Sequence, residues 1–406
     1  MALKITNIFQ GNKGIWVIIM FLFIFSEFAV YSASAQLAFG KLDGNTTRFL
    51  IKQTIFLLLG VFTIIIVHKI PYKYFSKFSL FFWYVSIILL VFTLIWGADV
   101  NDAKRWIMLP GGITFQTSDF AKIALLVYLS KVLAQKEDEI NTLKGSMKLV
   151  FLPIVITCGL ILPAGLSTTV LLFGVCMLLV FMSNMKFRYF ANMLGIVLVG
   201  GGILIALIFA GVNFGRSDTW KSRIESFFMK DKIENYKENL QETHSKIAVS
   251  TGGLFGRGLG HSIQKNILPH PYSDYIFAII VEELGVIFGA IPLLGCYLYL
   301  FVLAIRIVRK ANRKFAIYST ISLATLITLQ ALSNMAVATG IFPVTGQTLP
   351  FVSLGGTSIV FTSIAFGIIL SVSREVAKEE KAMQNQNEET DITEVGKTEE
   401  LEINTI

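Results

Sequence analysis

Residues 79–97 read SLFFWYVSIILLVFTLIWG, nineteen residues without a formal charge. As a helix at about 1.5 Å per residue this stretch is ~28 Å long, enough to cross the hydrocarbon core of a bilayer. The alternation of a β-barrel strand is absent from it. Working outward in both directions, further apolar segments occupy roughly 14–35, 50–68, 119–134, 148–163, 166–183, 189–212, 274–305, 315–340 and 357–373. Across all 406 residues 54% of side chains are apolar and 15% charged, with mean hydropathy +0.66. That composition excludes a soluble enzyme and specifies an all-α polytopic membrane protein with about ten transmembrane helices.

The charges orient the helices. With the N-terminus cytoplasmic, the short inner segments hold 16 Lys and Arg residues, whereas the short outer loops hold 5: Lys41, Arg48, Lys52, Lys104 and Arg105. Cytoplasmic loops retain basic residues, so both termini are expected inside. The net charge of +8 therefore reads as topology, with no nucleic-acid partner. Cys158, Cys176 and Cys296 all fall within apolar runs and read as small core residues. Tyr31-Ser32-Ala33-Ser34-Ala35 looks like a signal-peptide cleavage site, but the long apolar run before it, interrupted by Glu27, reads better as a retained first helix.

Two hydrophilic stretches stand apart. Residues 213–273 form a large extracytoplasmic loop between helices 7 and 8. Its Asp218–Ile247 portion, with Trp220, Ile224, Phe227 and Phe228 among charges, suggests amphipathic helices on the membrane surface. From Arg374 onward the chain is rich in Glu, Asn, Gln and Thr, which predicts a disordered cytoplasmic tail over 375–406 after a transmembrane domain over 1–374.

Ionisable groups inside apolar segments are costly and invite a functional reading. Asp119 and Lys122 share a helix face and either neutralise each other or floor a polar cavity with Gln116 and Ser118. Asp274 begins the eighth segment. It reads either as a helix-terminal carboxylate or as a base at the membrane–water boundary. Placing Asp274 and Glu282 on one helix, about 80° and ~12 Å apart, would direct both into one cavity. The glycine-rich run Thr251–Ser262 could present backbone amides to a phosphate. Phe342–Ser358, interrupted by Pro and Gly, has the character of a re-entrant segment bordering a watery cavity.

In this order the motifs resemble the SEDS family (shape, elongation, division and sporulation proteins), its division members more than its elongation members. The resemblance runs to about residue 374. It is carried by Lys104-Arg105-Trp106-Ile107, Gln116-Thr117-Ser118-Asp119-Phe120-Ala121-Lys122, Gly252–Gly260, Asp274–Ile280 with Glu282-Glu283-Leu284-Gly285, and Leu349-Pro350-Phe351-Val352-Ser353 with Gly355-Gly356. The resemblance implies a peptidoglycan glycosyltransferase in the bacterial cytoplasmic membrane at the division site, polymerising lipid II on the outer face. It also implies a class B penicillin-binding protein (transpeptidase) and other division proteins as partners. Asp274 is then the catalytic residue. Arg105 and Lys122, carried over from the family's motifs, and Arg216, which lies outside them, are candidate donors to the leaving pyrophosphate, assisted or not by a divalent cation (Mg or Mn); Gln116, Ser118, Asp119, Ser262 and Glu282 complete the expected substrate-binding residues. The chain departs from the family pattern at Leu162–Ser167, which lacks a usual carboxylate, at His270-Pro271-Tyr272-Ser273, where the histidine is shifted, and at Thr345, where division members commonly carry Lys. Two other readings stand beside the polymerase: a lipid II flippase, and a non-catalytic scaffold for a transpeptidase.

Overall fold

The computed structural model describes residues 9–34, 47–100, 103–109, 113–210, 236–268, 271–343 and 345–403. The protein is a helical membrane bundle. Its helices are α1 (Lys13–Ala33), α2 (Thr47–Lys69), α3 (Tyr72–Trp96), α4 (Thr117–Gln135), α5 (Leu143–Ile161), α6 (Leu166–Phe181), α7 (Phe187–Phe209), α8 (Tyr236–Gly252), α9 (Ile276–Lys310), α10 (Lys314–Ala338) and α11 (Thr357–Ile403). Seven of them, α1, α2, α3, α5, α9, α10 and α11, are long and apolar enough to cross a bilayer, and α6 and α7 are shorter apolar helices. The remaining span expected from the sequence, α4, is the most polar, and the packing explains why. Almost all of α4 is buried against α3 and α10. A helix surrounded by protein need not present apolar groups to lipid, so it tolerates Asp119 and Lys122. By contrast α2 and α3 leave most of their side chains at the bundle surface.

The fold departs from the all-helical expectation between α3 and α4. There β1 (Ala98–Val100), β2 (Ala103–Leu109) and β3 (Ile113–Gln116) form an antiparallel sheet in the order β1-β2-β3, with Trp106 opposite Gln116 and Ile107 opposite Phe115. The β-branched and aromatic residues of β2 and β3 suit pairing. The sheet caps one end of the bundle and hands the chain from β3 directly into α4. Thr357 at the start of α11 donates to Thr114 O at 2.8 Å, tying the sheet to that helix.

Three further expectations need correction. First, α8 does not lie free on a membrane surface: it packs on α9 and α10, with Ser245 and Ala248 fully buried and the Ser245 hydroxyl donating to Ala338 O at 2.7 Å. Residues 211–235, where the rest of that amphipathic stretch falls, lie outside the described residues. Second, the segment after Arg374, read as disordered, continues α11 to Ile403. Its Glu, Lys, Ala and Gln residues are good helix formers, and Glu379 and Glu380 meet Arg313 and Lys310 at 3.8 and 2.9 Å. Third, α9 is a broken helix: Gly285 takes φ +75°, and a π-helical turn follows over Val286–Ala290.

The break in α9 explains the glycine-rich run. The amides of Arg257 and Gly258 donate to Glu282 O and Glu283 O at 3.0 and 2.9 Å, and those of Val286 and Ile287 donate to Gly253 O and Leu254 O at 3.0 and 3.1 Å. The run thus supplies the partners that the interrupted helix lacks. A Cβ on Gly256 would stand 2.2 Å from Glu283 O, and one on Gly285 would stand 2.4 Å from Gly256 N, so both positions need glycine. The amides of Arg257 and Gly258, expected to face a phosphate, are bonded to this helix instead.

Candidate active site

Asp274 lies in the turn 271–275, before α9 begins. It and Glu282 therefore do not share a helix, and the rotation expected between them does not apply. The Ser273 hydroxyl donates to Asp274 Oδ1 at 2.9 Å, and Oδ2 lies 3.6 Å from where a Cβ on Gly346 would stand. Burial first, and then the Asp274 charge, push the Tyr272 phenol above its ordinary value. Tyr272 therefore remains a neutral neighbour of the carboxylate.

The wall opposite Asp274 is the segment 345–356, non-helical as the re-entrant reading expects. Its backbone carbonyls are satisfied from several helices, which is what such a segment requires inside a membrane protein. Asn334 on α10 donates Nδ2 to both Asp274 O, at 2.8 Å, and Gln347 O, at 2.7 Å. One turn earlier Gln330 donates to Thr348 O at 3.2 Å. Tyr297 donates to Pro350 O at 2.6 Å, and Ser26 on α1 donates to Val352 O at 2.8 Å while accepting from Gln53. Ser353 donates to Ser273 O at 2.7 Å, and Leu354 N donates to Tyr272 O at 2.9 Å, fastening the segment to the Asp274 turn. So held, Phe351 adopts φ +66°, a conformation costly for a residue with a side chain.

The other sequence-predicted residues divide into groups. Arg105 on β2 donates Nε to Ala164 O, and its guanidinium also reaches Gly165, beside Thr168. Thr168 accepts from Gln347 at 2.6 Å, which carries Arg105 to the edge of the Asp274 wall. Gln116 donates to Ser118 at 3.1 Å at the junction of β3 and α4. Asp119 and Lys122 form a buried ion pair at 2.8 Å, and Lys122 also donates to Gln330 Oε1 at 3.3 Å. Of the two alternatives read for this pair, mutual neutralisation is met, and the pair also braces the glutamine that holds Thr348. Asp119 Oδ2 is buried without a hydrogen bond from any of the described residues, beside a small cavity lined by Gln330, Ser358 and Thr362.

Ser262 and Glu282 meet in a second buried cluster. The Ser262 hydroxyl donates to Glu282 Oε2 at 2.5 Å, and the amides of Ile263 and Gln264 donate to the same carboxylate at 3.0 and 3.3 Å. Arg257 lies 3.6 Å from Glu282. Alongside, Glu283 accepts from Ser32 on α1, and Lys265 lies 3.7 Å away, donating to Ser32 and to Gly260 O. Both carboxylates are thereby occupied in fastening 257–265 to α9 and α1. Arg216 lies outside the described residues. Among the described residues no group of three His, Cys, Asp or Glu side chains is placed to hold a metal. The sequence reading missed Asn334, Gln347 and Thr168. The available signal was a pair of amides, Gln330 and Asn334, four residues apart in an apolar run.

Fold and site together define a multi-pass membrane protein with a carboxylate seated against a re-entrant segment. Residues 12–378 match the cell cycle protein family that comprises FtsW, RodA and SpoVE, and the chain belongs to that family. It is 31% identical over 89% of its length to the probable peptidoglycan glycosyltransferase FtsW of Coxiella burnetii, covering 96% of that protein. It is 34% identical over 85% of its length to the probable peptidoglycan glycosyltransferase FtsW of Trichlorobacter lovleyi, covering 88% of that protein. To stage V sporulation protein E of Bacillus subtilis it is 31% identical over 88% of its length, covering 95% of that protein. Among solved structures, the fold is shared with a chain from a study of how a peptidoglycan synthase complex coordinates polymerization and crosslinking (TM-score 0.69, 20% identity, 90% of this chain and 98% of that one). It is shared also with the rod shape determining protein RodA of Thermus thermophilus (TM-score 0.64, 22% identity, 91% and 98%).

Proposed function

We infer that this chain is a peptidoglycan glycosyltransferase that polymerises lipid II, with Asp274 as its base. In this reading ten helices, α1 to α7 and α9 to α11, cross the bacterial cytoplasmic membrane with both termini inside, and the sheet end faces outward. Asp274 removes the proton from the C4 hydroxyl of the acceptor's GlcNAc. That oxygen attacks C1 of the donor's MurNAc, the bond to undecaprenyl pyrophosphate breaks, and the configuration inverts to a β-1,4 link. The observation that carries the assignment is the seating of Asp274. Its turn is held by Asn334, Ser353 and Leu354 N to a segment itself bonded to three helices. Such preorganisation serves a base that must meet a hydroxyl within hydrogen-bond reach.

Arg105 is the cation assigned to the leaving pyrophosphate, where a guanidinium binds phosphate oxygens bidentately. Gln116 and Ser118 are assigned to the sugar-facing rim. Asp119 and Lys122, with side chains 8% and 5% exposed, are assigned to bracing Gln330, and Glu282 with Ser262 to holding the chain that leads to Asp274. The proposed partner is a class B penicillin-binding protein, its transpeptidase, in septal wall synthesis. The polar groups described here gather toward the sheet end instead of lining a path across the bundle, which favours polymerisation over flipping.

The test is polymerisation of lipid II by the chain co-purified with its class B partner, resolved on a gel, for wild type and Asp274→Asn. Polymer from wild type alone, with the variant equally folded, supports the base. Equal polymer from both removes Asp274 from catalysis, and none from either, where a control polymerase works, turns the assignment toward flippase or scaffold.

A further inference from the structure

At the end of the bundle away from the sheet, α3 and α10 both begin beside one cavity of about 350 Å³. We propose that this cavity binds the phosphate of an anionic phospholipid from the inner leaflet. Its lining includes Tyr72, Lys73, Ser76, Gln135, Arg313 and Lys314. A helix N-terminus bears roughly half a positive charge, and sequences ordinarily answer it with a carboxylate or a capping side chain. Neither helix has one here. The residues at the N-caps are Pro71 and Arg313, neither makes a side-chain cap, and neither first turn holds an acidic residue. Lysines stand there instead, Lys73 on α3 and Lys314 on α10. Two helix dipoles therefore converge on one concave space lined by Lys73, Arg313 and Lys314, the last of them paired with Glu137.

Carboxylates border the cavity, with Glu379 and Glu375 acting on Tyr72, and they answer two of its cations in part. Glu137 is bonded to Lys314, and Glu379 lies 3.8 Å from Arg313 Nε, a loose contact that leaves other guanidinium N–H groups to donate. Glu375 is engaged with Arg374 and Lys378. Among the described residues Lys73 makes no ion pair. A retained-lysine topology signal would scatter cations along this face, but it does not require a cavity between two uncapped helices.

A lipid suits the site better than a soluble phosphate because of what lies beside it. Lys73, Lys77, Leu80 and Tyr84 are all exposed and follow one another at intervals of four, three and four residues on one face of α3. That stripe runs from basic to apolar in the direction of the bilayer interior. A phosphate in the cavity would leave its acyl chains along Leu80 and Tyr84. Basic pockets between helices on the cytoplasmic side are suited to such headgroups. The leaflet rests on the topology proposed above. Binding itself does not depend on the glycosyltransferase reading, so a failed polymerisation assay and a failed binding assay are separate results.

The test is native mass spectrometry of the full chain in detergent with equal amounts of phosphatidylglycerol and phosphatidylcholine of matched acyl chains. Wild type should retain phosphatidylglycerol about tenfold over phosphatidylcholine, ~1.4 kcal/mol. The K73A/R313A variant should bring that ratio near one. K73R/R313K should keep it, and K144A/K148A, which removes equal charge from another segment of the same face, should leave it unchanged. Loss of preference in K144A/K148A as large as in K73A/R313A would overturn the site in favour of diffuse charge. An unchanged ratio in K73A/R313A would overturn it outright, and displacement of the lipid by millimolar inorganic phosphate would make it a soluble-anion site.

Discussion

Replacing Asn334 by leucine keeps the volume of a buried side chain and deletes one amide that holds two backbone carbonyls, Asp274 O at 2.8 Å and Gln347 O at 2.7 Å. A carbonyl left buried without its donor costs about 1–3 kcal/mol; Gln347 O is buried and Asp274 O part-buried, so ~6 kcal/mol is the upper bound on what the pair gives the arrangement in which the Asp274 turn and the re-entrant segment face each other. Ser353, Leu354 N and Gln330 still hold the two segments, so part of that cost is relieved by local adjustment. Taking ~3 kcal/mol as the share that shifts the aligned population, and 1.4 kcal/mol per tenfold, gives a loss of roughly 100-fold in turnover. Asp274, the proposed base, is itself untouched, so the loss should fall on kcat, with lipid II binding close to wild type. The assay is initial-rate lipid II polymerisation by the purified complex, with thermal unfolding in detergent as the check on folding. A folded Asn334→Leu protein that polymerises within about threefold of wild type would refute the claim that this amide aligns the site.

Lys122→Met should leave Asp119 buried without its ion partner and destabilise the fold by about 3–5 kcal/mol; Asp119→Asn combined with Lys122→Met should recover most of that in thermal unfolding. Gly256→Ala forces a methyl to 2.2 Å from Glu283 O at φ +81°, so it should lower the unfolding temperature, whereas Gly195→Ala, with open space around its Cβ position, should not. Glu137 is held below its ordinary carboxylate value, chiefly by the hydrogen bond from Lys314 and then by that from Asn184. Its folded state thus binds the proton less readily than the unfolded chain. The stabilisation it gives is present above the ordinary value and is lost as pH falls through the depressed one; an acid titration of unfolding temperature should show this contribution in wild type and not in Glu137→Gln.

The helices were legible because lipid leaves so little choice: nineteen consecutive uncharged, mostly apolar residues such as 79–97 have few other uses in a folded protein. The strands were not, since β2 and β3 are 7 and 4 residues long and lie in a loop whose neighbours on both sides are helical. Asp274 stood out because a carboxylate at the start of an apolar run is conspicuous. Asn334 did not. It carries no charge, and the carbonyls it holds come from residues 60 and 13 positions away, an arrangement that no local pattern announces. The glycine-rich run was legible as backbone freedom but not as to its use. Glycines that cradle an anion and glycines that let one backbone touch another read alike, and the broken helix at Gly285 decided between them. The acidic segment after Arg374 matched the composition of a disordered tail, yet its residues are also those of a solvated helix, and the basic turn at Arg309–Lys314 gives that helix charges to meet.

The hydrogen bond from Ser26 to Val352 O joins residues 326 positions apart, and α2 packs along α11, which is made after the Asp274 turn and the segment 345–356. The order of synthesis therefore bears on when the enzyme can act. A chain still on the ribosome, with its Asp274 turn already delivered to the membrane, has neither the wall that faces that turn nor the helix that supports the wall. On the proposed mechanism a copy made only that far is inert, and its site is complete only once α11 has slid into place against α2.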